Sequence, residues 1–552
     1  MPGKLPPKTP DAGASLPERL AAVLPKGHTF GVYHLSTPPT KCDPLCPAPP
    51  GERPDKTFCE KHFLAVSIDP SQKQDSQASS LDKRSDIVTH KARVLVFALE
   101  IYIFTTAYST TIFVAKADST GYLHLLNLPR GSLSPIRTVS TAFLSFLVEH
   151  RRRRDIQCVV SLFARSQSQY LFPGSVENGG KHVLDDRGLV RWWCRALNPL
   201  VQNPPRGDLP EWGGVKGYLL VPGLETNETR AYLPRGAQAE RWALGHPLEL
   251  ISHYCRERES VPPRCLVPSF PDDPKARFRD ELDEEAAGSA RLKGSGEWKS
   301  VGTLEQFWQM MEFRQECSSG RLTGFVWVVF DAEGSSAGGG SSTGASASAL
   351  SNGAEQAGSA RPSTPPPVSA AKSLDTASTP VKLVLSPKPG QQGSSSSKPT
   401  TSTGKKKKKK PLTGPIKSRQ PHIKKHARSA LSDRPPASCA YYHWPTEGRG
   451  ERVIDEKSYR RVMELLLHLD FAKLELAVGS TRRWVNEVAM GSSWGLDVTG
   501  RQEVLVEEKG AAGTVNNLAG MVKRKRGEGD GPKVNVLGAG LVRKKPKAEG
   551  SG

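Results

Sequence analysis

Two stretches of the chain and one short acidic segment combine side chains that could do chemistry. Asp118 follows an apolar run and opens a Ser-Thr-Gly turn. The stretch from Phe163 to Trp193 contains cations and aromatic rings, and Asp272 and Asp273 stand together before a proline. Each acid also has a structural interpretation, as a turn carboxylate or as a helix N-cap. The residues alone indicate an enzyme or a ligand-binding domain with a mixed site, and they leave its identity open.

The second stretch has the residue types that bind an anion beside an apolar chain. Arg165, Lys181 and His182 flank a loop that leads into a predicted helix, and such a connection suits phosphate groups. Trp192 and Trp193 are neighbours on that helix and point about 100° apart, so at least one of them can face away from the core.

A zinc site has to be weighed against these features. The pairs Cys42-x3-Cys46 and Cys59-x2-His62 have a loosely finger-like spacing. The segment between them is rich in proline, however, and His62 opens a predicted strand. We therefore predict no metal. The odd number of cysteines, nine, and a Pro-rich, polar opening unlike a signal peptide indicate reduced cysteines and an intracellular protein.

Apolar periodicity predicts alternating strands and helices. Val94 to Val114 is 21 residues long, the length of a membrane span, but Glu100 and a polar break indicate two strands joined by a turn. The predicted strands are His62 to Ile68, Arg93 to Phe104, Thr111 to Ala117, Val159 to Ala164 and Gly324 to Phe330. The predicted helices begin near Leu16, Ile136, Asp185 or Asp186, Lys275 and Leu304, and a last one carries Val462, Leu465, Leu466, Leu469 and Leu476.

Composition divides the chain of 552 residues into five parts. Of the net charge of +21, eleven units come from Lys405 to Arg428 and six from Met521 to Gly552, so the remainder is nearly balanced. Gly, Ser, Thr and Pro dominate the interior low-complexity part, which cannot bury enough apolar area to fold. The predicted parts are a disordered start (1–14), a main domain (15–330), a disordered linker (331–440), a helical part that packs on the main domain (441–515) and a basic disordered tail (516–552).

The basic segments suggest a location and loose contacts. Lys523 to Arg526 and Arg543 to Lys547 have the pattern of a bipartite nuclear-localisation signal, although a solvated basic tail has the same composition. Lys405 to Lys410 suits non-specific contact with DNA or with acidic chaperones.

The motifs, taken in order, resemble those of the fungal Rtt-type histone acetyltransferases, which are distant relatives of the CREB-binding-protein acetyltransferases. The matching segments cover residues 16–330 and, more weakly, a helix at 458–478. The resemblance implies a mixed α/β fold in which helices surround a central sheet. The matching motifs are Lys116-Ala117-Asp118-Ser119-Thr120-Gly121-Tyr122, Gln169-Tyr170-Leu171-Phe172-Pro173, Lys181-His182, Trp192-Trp193 and Phe270-Pro271-Asp272-Asp273-Pro274-Lys275-Ala276-Arg277-Phe278.

The resemblance also implies roles for single residues. It implies acetyl-CoA as co-substrate, no metal, and self-acetylation at Lys275. The arginine-rich His150 to Asp155 replaces a long flexible loop of the relatives, so that loop's role in substrate choice does not carry over. The implied catalytic residues are Asp118, Trp193, Asp272 and Asp273, and the implied acetyl-CoA-binding residues are Ala117, Phe163, Arg165, Gln169, Tyr170, Lys181, His182 and Trp192.

The activity implied by the resemblance is acetyl transfer to a lysine of histone H3. The expected targets are a lysine in the N-terminal helix of H3, near the DNA entry and exit points, and tail lysines. The expected partners are histones H3–H4 and chaperones of the anti-silencing-function and nucleosome-assembly-protein types. The expected setting is the nucleus, in replication-coupled nucleosome assembly and the DNA damage response. The alternative is a non-catalytic nuclear scaffold that binds histones or DNA, and acetyl-CoA binding separates the two.

Overall fold

The computed structural model describes most of the chain outside its low-complexity parts. The described residues within 1–337 and 434–552 cluster as one compact unit. The predicted linker and basic tail, with their nuclear-localisation and Lys-rich segments, lie almost wholly outside the described residues. The described residues are 13–71, 92–129, 132–287, 297–314, 317, 320–333 and 435–503.

Eleven strands and ten α-helices are found in the described residues. The strands are β1 (Thr29–Ser36), β2 (Thr40–Cys42), β3 (Thr57–Ile68), β4 (Val94–Thr105), β5 (Ser109–Ser119), β6 (Gln157–Ala164), β7 (Gly214–Leu220), β8 (Trp242–Leu244), β9 (Gly324–Asp331), β10 (Arg452–Val453) and β11 (Leu496–Thr499). The helices are α1 (Leu16–Val23), α2 (Pro135–Arg151), α3 (Asp186–Gln202), α4 (Thr226–Arg230), α5 (Leu248–Ile251), α6 (Tyr254–Glu257), α7 (Pro274–Ala287), α8 (Leu304–Glu312), α9 (Glu456–Leu467) and α10 (Leu474–Ala489).

All the strands join one mixed sheet in the order β10-β1-β3-β4-β5-β6-β9-β7-β8, with β11 also on β1 and β2 on β3. The pairs β1–β10, β5–β6 and β7–β8 are parallel, and the others are antiparallel. Helices pack on this sheet around a large apolar cluster that includes residues of α1, α2, α3, α9 and α10. The predicted mixed α/β class is confirmed.

The long apolar run at Val94 is a hairpin, as predicted. β4 and β5 pair along their length on either side of a short turn at Thr106–Tyr108, and Glu100 is buried between them. Within the described residues, no helix is long and apolar enough to cross a membrane.

The predicted helix at 458–478 is wrong, because two helices occupy that stretch. α9 ends at Leu467, and Asp470 Oδ1 then accepts a hydrogen bond from Ala472 N–H (2.8 Å) before α10 begins. Phe471 packs against Phe172, with ring centroids 4.9 Å apart. Leu476, counted in the apolar stripe, is exposed. A side chain that hydrogen-bonds to the nearby backbone competes with the hydrogen bonds of a helix, so a break can form here. The apolar spacing of the sequence continues across this break and therefore does not reveal it.

The C-terminal residues complete the sheet of the N-terminal ones. β1 pairs with β3 on one edge and with β10 and β11 on the other. Trp484 of α10 is fully buried, and its indole N–H donates to the carbonyl oxygen of Val462 (3.2 Å). Neither β1 nor β11 was predicted. β1 is buried almost throughout, so it lacks the polar–apolar alternation that identifies a half-exposed strand.

Two arginines at the C-terminal end of α2, Arg151 within the helix and Arg153 after it, hold the C-terminal part in place. Arg151 is buried, pairs with Glu60 and donates to the carbonyl oxygen of Gly448 (2.7 Å). Arg153 donates to the carbonyl oxygens of Tyr441 (2.9 Å) and of Ser109 (2.7 Å). These two guanidinium groups are therefore structural, and they are not a free basic surface.

A histidine pair lies beside Arg151. His34 Nε2 is 2.9 Å from His62 Nδ1, and Arg151 Nη2 is 3.4 Å from His62 Nε2. Burial lowers the pKa of His34 and of His62, and the guanidinium of Arg151 acts in the same direction. Both rings are therefore neutral at physiological pH.

Candidate active site

A cavity opens where β5 and β6 separate. The strands pair in parallel from Ser109 with Gln157 to Phe113 with Ser161, and each strand then continues without its partner. The cavity has a volume of about 310 Å³ and is lined by the end of β5, the end of β6, the following loop and α3. The predicted residues in its wall are Ala117, Asp118, Phe163, Arg165, Tyr170, Lys181, His182, Trp192 and Trp193.

Asp118 organises one wall of this cavity. Its Oδ2 accepts from the backbone N–H groups of Tyr170 (2.7 Å), Leu171 (2.8 Å) and Phe172 (3.2 Å). Its Oδ1 accepts from the N–H of Ser119 (2.8 Å) and from the ammonium of Lys181 (2.8 Å). A carboxylate that accepts five hydrogen bonds is suited to fixing a loop.

Lys181 is a buried structural cation. Its side chain is 4% exposed, and its ammonium also donates to Ser175 Oγ (2.7 Å). Gly121, at φ 91°, allows this segment to approach, since a Cβ there would lie 2.5 Å from Lys181 N. The sequence offered Lys181 as a cation for phosphate, but its ammonium is already engaged.

Aromatic side chains form the apolar side of the cavity. Phe163 and Tyr170 are half-buried, and the Tyr170 hydroxyl donates to the carbonyl oxygen of Arg165. Trp192 and Trp193 contact edge to face, with centroids 4.8 Å apart. Trp193 is 5% exposed and belongs to the core, whereas Trp192 is half-buried at the core's edge.

Two residues of the cavity wall, Arg165 and His182, could still bind an anion. Arg165 Nε is buried and has no hydrogen-bond partner in the described part of the chain. His182 is exposed at the cavity. Both residues line the cavity, so they could offer hydrogen-bond donors to an anion bound there.

Asp272 lies beside the cavity and does not line it. It has a left-handed backbone conformation (φ 60°), and its side chain is 65% exposed. Its Oδ2 is 3.3 Å from the ammonium of Lys116, which does line the cavity. Lys116 belongs to the first of the matching motifs but is not among the predicted site residues. Its position two residues before Asp118 on the same strand face was the available signal.

Asp273 and Lys275 form a buried ion pair under the same loop. Both side chains are at most 2% exposed, and Asp273 Oδ1 also accepts from Lys275 N–H (3.0 Å) at the start of α7. Burial raises the pKa of Asp273 and lowers that of Lys275, against the attraction between them. The Lys275 ammonium faces the ring of Phe270 at 4.9 Å. Asp273 thus serves as the helix cap that the sequence also allowed.

Some predicted residues are not brought to the cavity. Gln169 is adjacent to Tyr170 but does not line the cavity, and its Oε1 is buried with no hydrogen-bond partner in the described part of the chain. The described residues, which include Cys42, Cys46, Cys59 and His62, contain no group of three or more Cys, His, Asp or Glu side chains placed to hold a metal ion. His62 instead contacts His34.

Comparison with known proteins identifies the family. The family model described as "Histone acetyltransferase KAT11-type domain" matches residues 16–158 and 154–487. The chain is 37% identical to histone acetyltransferase rtt109 of Aspergillus flavus, over 97% of this chain and 90% of that one. It is 31% identical to histone acetyltransferase rtt109 of Schizosaccharomyces pombe, over 56% of this chain and 70% of that one.

A solved structure agrees with the sequence relatives. The crystal structure of Rtt109 from Aspergillus fumigatus matches with a TM-score of 0.61 and 35% identity, and the match covers 89% of this chain and all of that one. The resemblance stated from the motifs is confirmed, and the family implies acetyl-CoA as co-substrate and histones as substrates. The chain belongs to the KAT11-type histone acetyltransferases and is a histone lysine acetyltransferase of the fungal Rtt type.

Proposed function

We propose that the cavity between β5 and β6 binds acetyl-CoA with its pantetheine arm along the free edge of β5. The observation that carries this proposal is the end of strand pairing at Phe113 and Ser161, beyond which both strands line the cavity. A separated strand edge presents peptide N–H and C=O groups that an amide-containing chain can pair with. Ala117 contributes through its backbone in this arrangement.

Different side chains contact different parts of acetyl-CoA in this proposal. Phe163, Tyr170 and Trp192 wall the slim apolar arm, as aromatic residues commonly do in ligand pockets. Arg165 and His182 bind the phosphates, and the orphaned Nε of Arg165 supports this role. Lys181 acts indirectly, through Asp118. Gln169 is excluded from this set because it is not in the cavity wall.

The substrate lysine must lose a proton before it can attack the thioester. With an ordinary pKa near 10.4, roughly one lysine in a thousand is neutral at pH 7.4, which is a deficit of about 4 kcal/mol. Placement beside the thioester and proton transfer to water or to a base overcome this deficit. Asp272, exposed beside the cavity, attracts the cationic lysine, and Trp193 lines its aliphatic stem. Asp118 supports the loop that contains Tyr170, and Asp273 supports the loop that contains Asp272.

The proposed target is a lysine in the N-terminal helix of histone H3, near the DNA entry and exit points, together with tail lysines. We infer that transfer depends on chaperones of the anti-silencing-function and nucleosome-assembly-protein types. The setting is nuclear, in replication-coupled nucleosome assembly and the DNA damage response. Lys523 to Arg526 and Arg543 to Lys547 act as the import signal, and Lys405 to Lys410 contacts DNA non-specifically. We also propose self-acetylation at Lys275, which would remove the charge facing Asp273.

Acetyl transfer to an H3–H4–chaperone complex tests this function. The wild type is compared with Asp118→Asn and Asp273→Asn, and mass spectrometry identifies the modified lysines. Asp497→Asn makes the same chemical change on the remote strand β11 and is the matched control.

We expect transfer by the wild type and by Asp497→Asn. We expect at least a tenfold loss for the two other variants while thermal melting shows that they stay folded. A wild type that binds acetyl-CoA but modifies only other lysines would overturn the proposed target alone. A wild type that transfers nothing with chaperone present, and binds no acetyl-CoA, would leave the scaffold alternative.

A further inference from the structure

Lys116 connects the cavity wall to the exposed loop of Asp272. Its ammonium lies 3.3 Å from Asp272 Oδ2 on one side and 3.5 Å from Glu100 Oε2 on the other. Glu100 and Lys116 are register partners on β4 and β5, next to a β-bulge. Bulges frequently redirect side chains beside functional sites.

Glu100 is itself fixed from two directions. It is 2% exposed, and its Oε1 accepts from the hydroxyl groups of Tyr102 (3.1 Å) and Tyr459 (3.0 Å). Tyr102 lies on the same strand, β4, whereas Tyr459 lies on α9, beyond the long insertion. A chain of polar contacts therefore runs from α9 through the sheet to Asp272.

The Asp272 loop needs such support. A non-glycine residue with a left-handed backbone pays a conformational cost, and the Asp272 side chain is mostly in solvent. The ion pair with Lys116 is the contact that joins this carboxylate to the cavity wall. Burial lowers the pKa of Lys116, but the carboxylates of Glu100 and Asp272 outweigh that effect and raise it above the ordinary value. The ammonium is thus charged at neutral pH.

We propose that Lys116 is a positioning residue that holds the Asp272 carboxylate at the cavity, and that Tyr459 fixes Lys116 through Glu100. The inference rests on the proposed role of Asp272 in attracting the substrate lysine. The charges of Glu100, Lys116 and Asp272 sum to −1, so the group remains attractive to a cation despite the lysine within it. The described C-terminal residues, 435–503, contribute no side chain to the cavity wall, and in this arrangement they support catalysis through Tyr459.

A double-mutant cycle tests this coupling. The value of kcat/KM for the H3–H4 complex is measured for Lys116→Met, Asp272→Asn and the double variant, with thermal melting for each. Asparagine tolerates the left-handed conformation, so Asp272→Asn removes charge without disturbing the loop. Lys216→Met is the control, since Lys216 also lies on a strand of the sheet, β7, which β6 and β9 separate from β5.

We expect Lys116→Met to lower kcat/KM about tenfold, Lys116→Arg to retain most of the activity and Lys216→Met to leave it within about twofold. In the Asp272→Asn background, the Lys116→Met substitution should cause no further loss. Tyr459→Phe removes one hydroxyl, should stay folded even if Lys116→Met does not, and should lower kcat/KM severalfold.

Two results would overturn the inference. One is independent, multiplicative losses from Lys116→Met and Asp272→Asn. The other is full activity in a folded Lys116→Met or Tyr459→Phe variant while Asp272→Asn is impaired. If Asp272→Asn alone transfers and binds the histone complex like the wild type, the proposed role of Asp272 fails instead.

Discussion

The ammonium of Lys181 lies 2.8 Å from Oδ1 of Asp118, and both side chains are at most 5% exposed. Because Oδ2 of the same carboxylate holds three successive N–H groups of the Tyr170 loop, one buried ion pair determines the shape of the cavity wall. Its role is therefore to organise the loop that forms this part of the cavity wall.

Asp118→Asn should weaken acetyl-CoA binding at least tenfold and lower the melting temperature, because it leaves the Lys181 ammonium buried without its counter-charge. Calorimetric titration with acetyl-CoA and thermal melting measure the two effects. Adding Lys181→Met should recover part of the stability. If affinity is unchanged and only the pH profile of transfer loses a limb, Asp118 acts as a proton acceptor and not as an organiser.

Gly121→Ala should displace the backbone at Lys181 and so disturb its ion pair with Asp118. A Cβ at this position would meet backbone atoms of Lys181 at 2.5–2.6 Å, and φ of 91° is strained for any side chain. We expect a loss of about 2–3 kcal/mol in the free energy of unfolding, read from urea denaturation, and weaker acetyl-CoA binding. Gly27→Ala has a similar φ of 84° with open space around it and separates strain from collision. Equal losses in the two variants would mean that the collision is relieved.

Lys275→Met should destabilise the protein strongly, because Asp273 stays buried without a cation. Breaking a buried pair from one side typically costs about 3–5 kcal/mol. The pKa of Asp273 is already raised by burial, so in the variant the carboxyl protonates more readily and the deficit shrinks as pH falls toward 5. Urea denaturation at pH 7.5 and 5.5 measures this. Asp273→Asn combined with Lys275→Met should be more stable than Lys275→Met alone at pH 7.5, and the reverse order would contradict the pairing.

The buried pair of His34 and His62 predicts a loss of stability in mild acid. The folded-state pKa of each ring lies below the ordinary value near 6.5. As pH falls below about 6.5, the unfolded chain takes up protons that the folded chain does not, so stability declines between pH 7 and 5.

Melting temperatures across this pH range measure the slope. His34→Gln with His62→Gln should flatten it, even though that variant is less stable overall at pH 7. The control is His468→Gln, which changes an exposed histidine at the end of α9. A slope that is the same in the wild type and in the double variant would assign the acid sensitivity to other groups.

The sequence predicted those parts of the fold in which a local pattern and the tertiary structure agree. The β4–β5 hairpin and the helices that begin at Leu16 and Asp186 follow from apolar periodicity and from capping residues. β1 was not predicted because a strand that is buried on both faces lacks the alternation of polar and apolar residues. The break between α9 and α10 was not predicted because the residues that connect the two helices, 468–473, include no Gly or Pro, and Asp470 instead accepts a hydrogen bond from Ala472 N–H within the connection.

The candidate site shows the same division. Motif content and order predicted Asp118, Trp193 and the aromatic residues as site residues, and the structure brings them to the wall of one cavity. The motifs could not show that the Lys181 ammonium forms an ion pair with Asp118, or that the Lys116 ammonium lies between the carboxylates of Glu100 and Asp272. Both arrangements depend on which strands and loops come together in the folded chain. The separation of β5 from β6, which makes the cavity, is likewise a property of strand pairing and has no sequence signature of its own.

The placement of β1 between β3, β10 and β11 has a consequence for how the enzyme is made. Its last partner begins at Leu496, 460 residues after β1 ends at Ser36. At ordinary rates of ribosomal synthesis, one edge of β1 therefore stays unpaired for roughly 20–90 s, until its C-terminal partner strands have been made. During that time the nascent chain exposes an unpaired strand edge of the kind that pairs with other chains, so the risk of aggregation is greatest before the C-terminal strands are made.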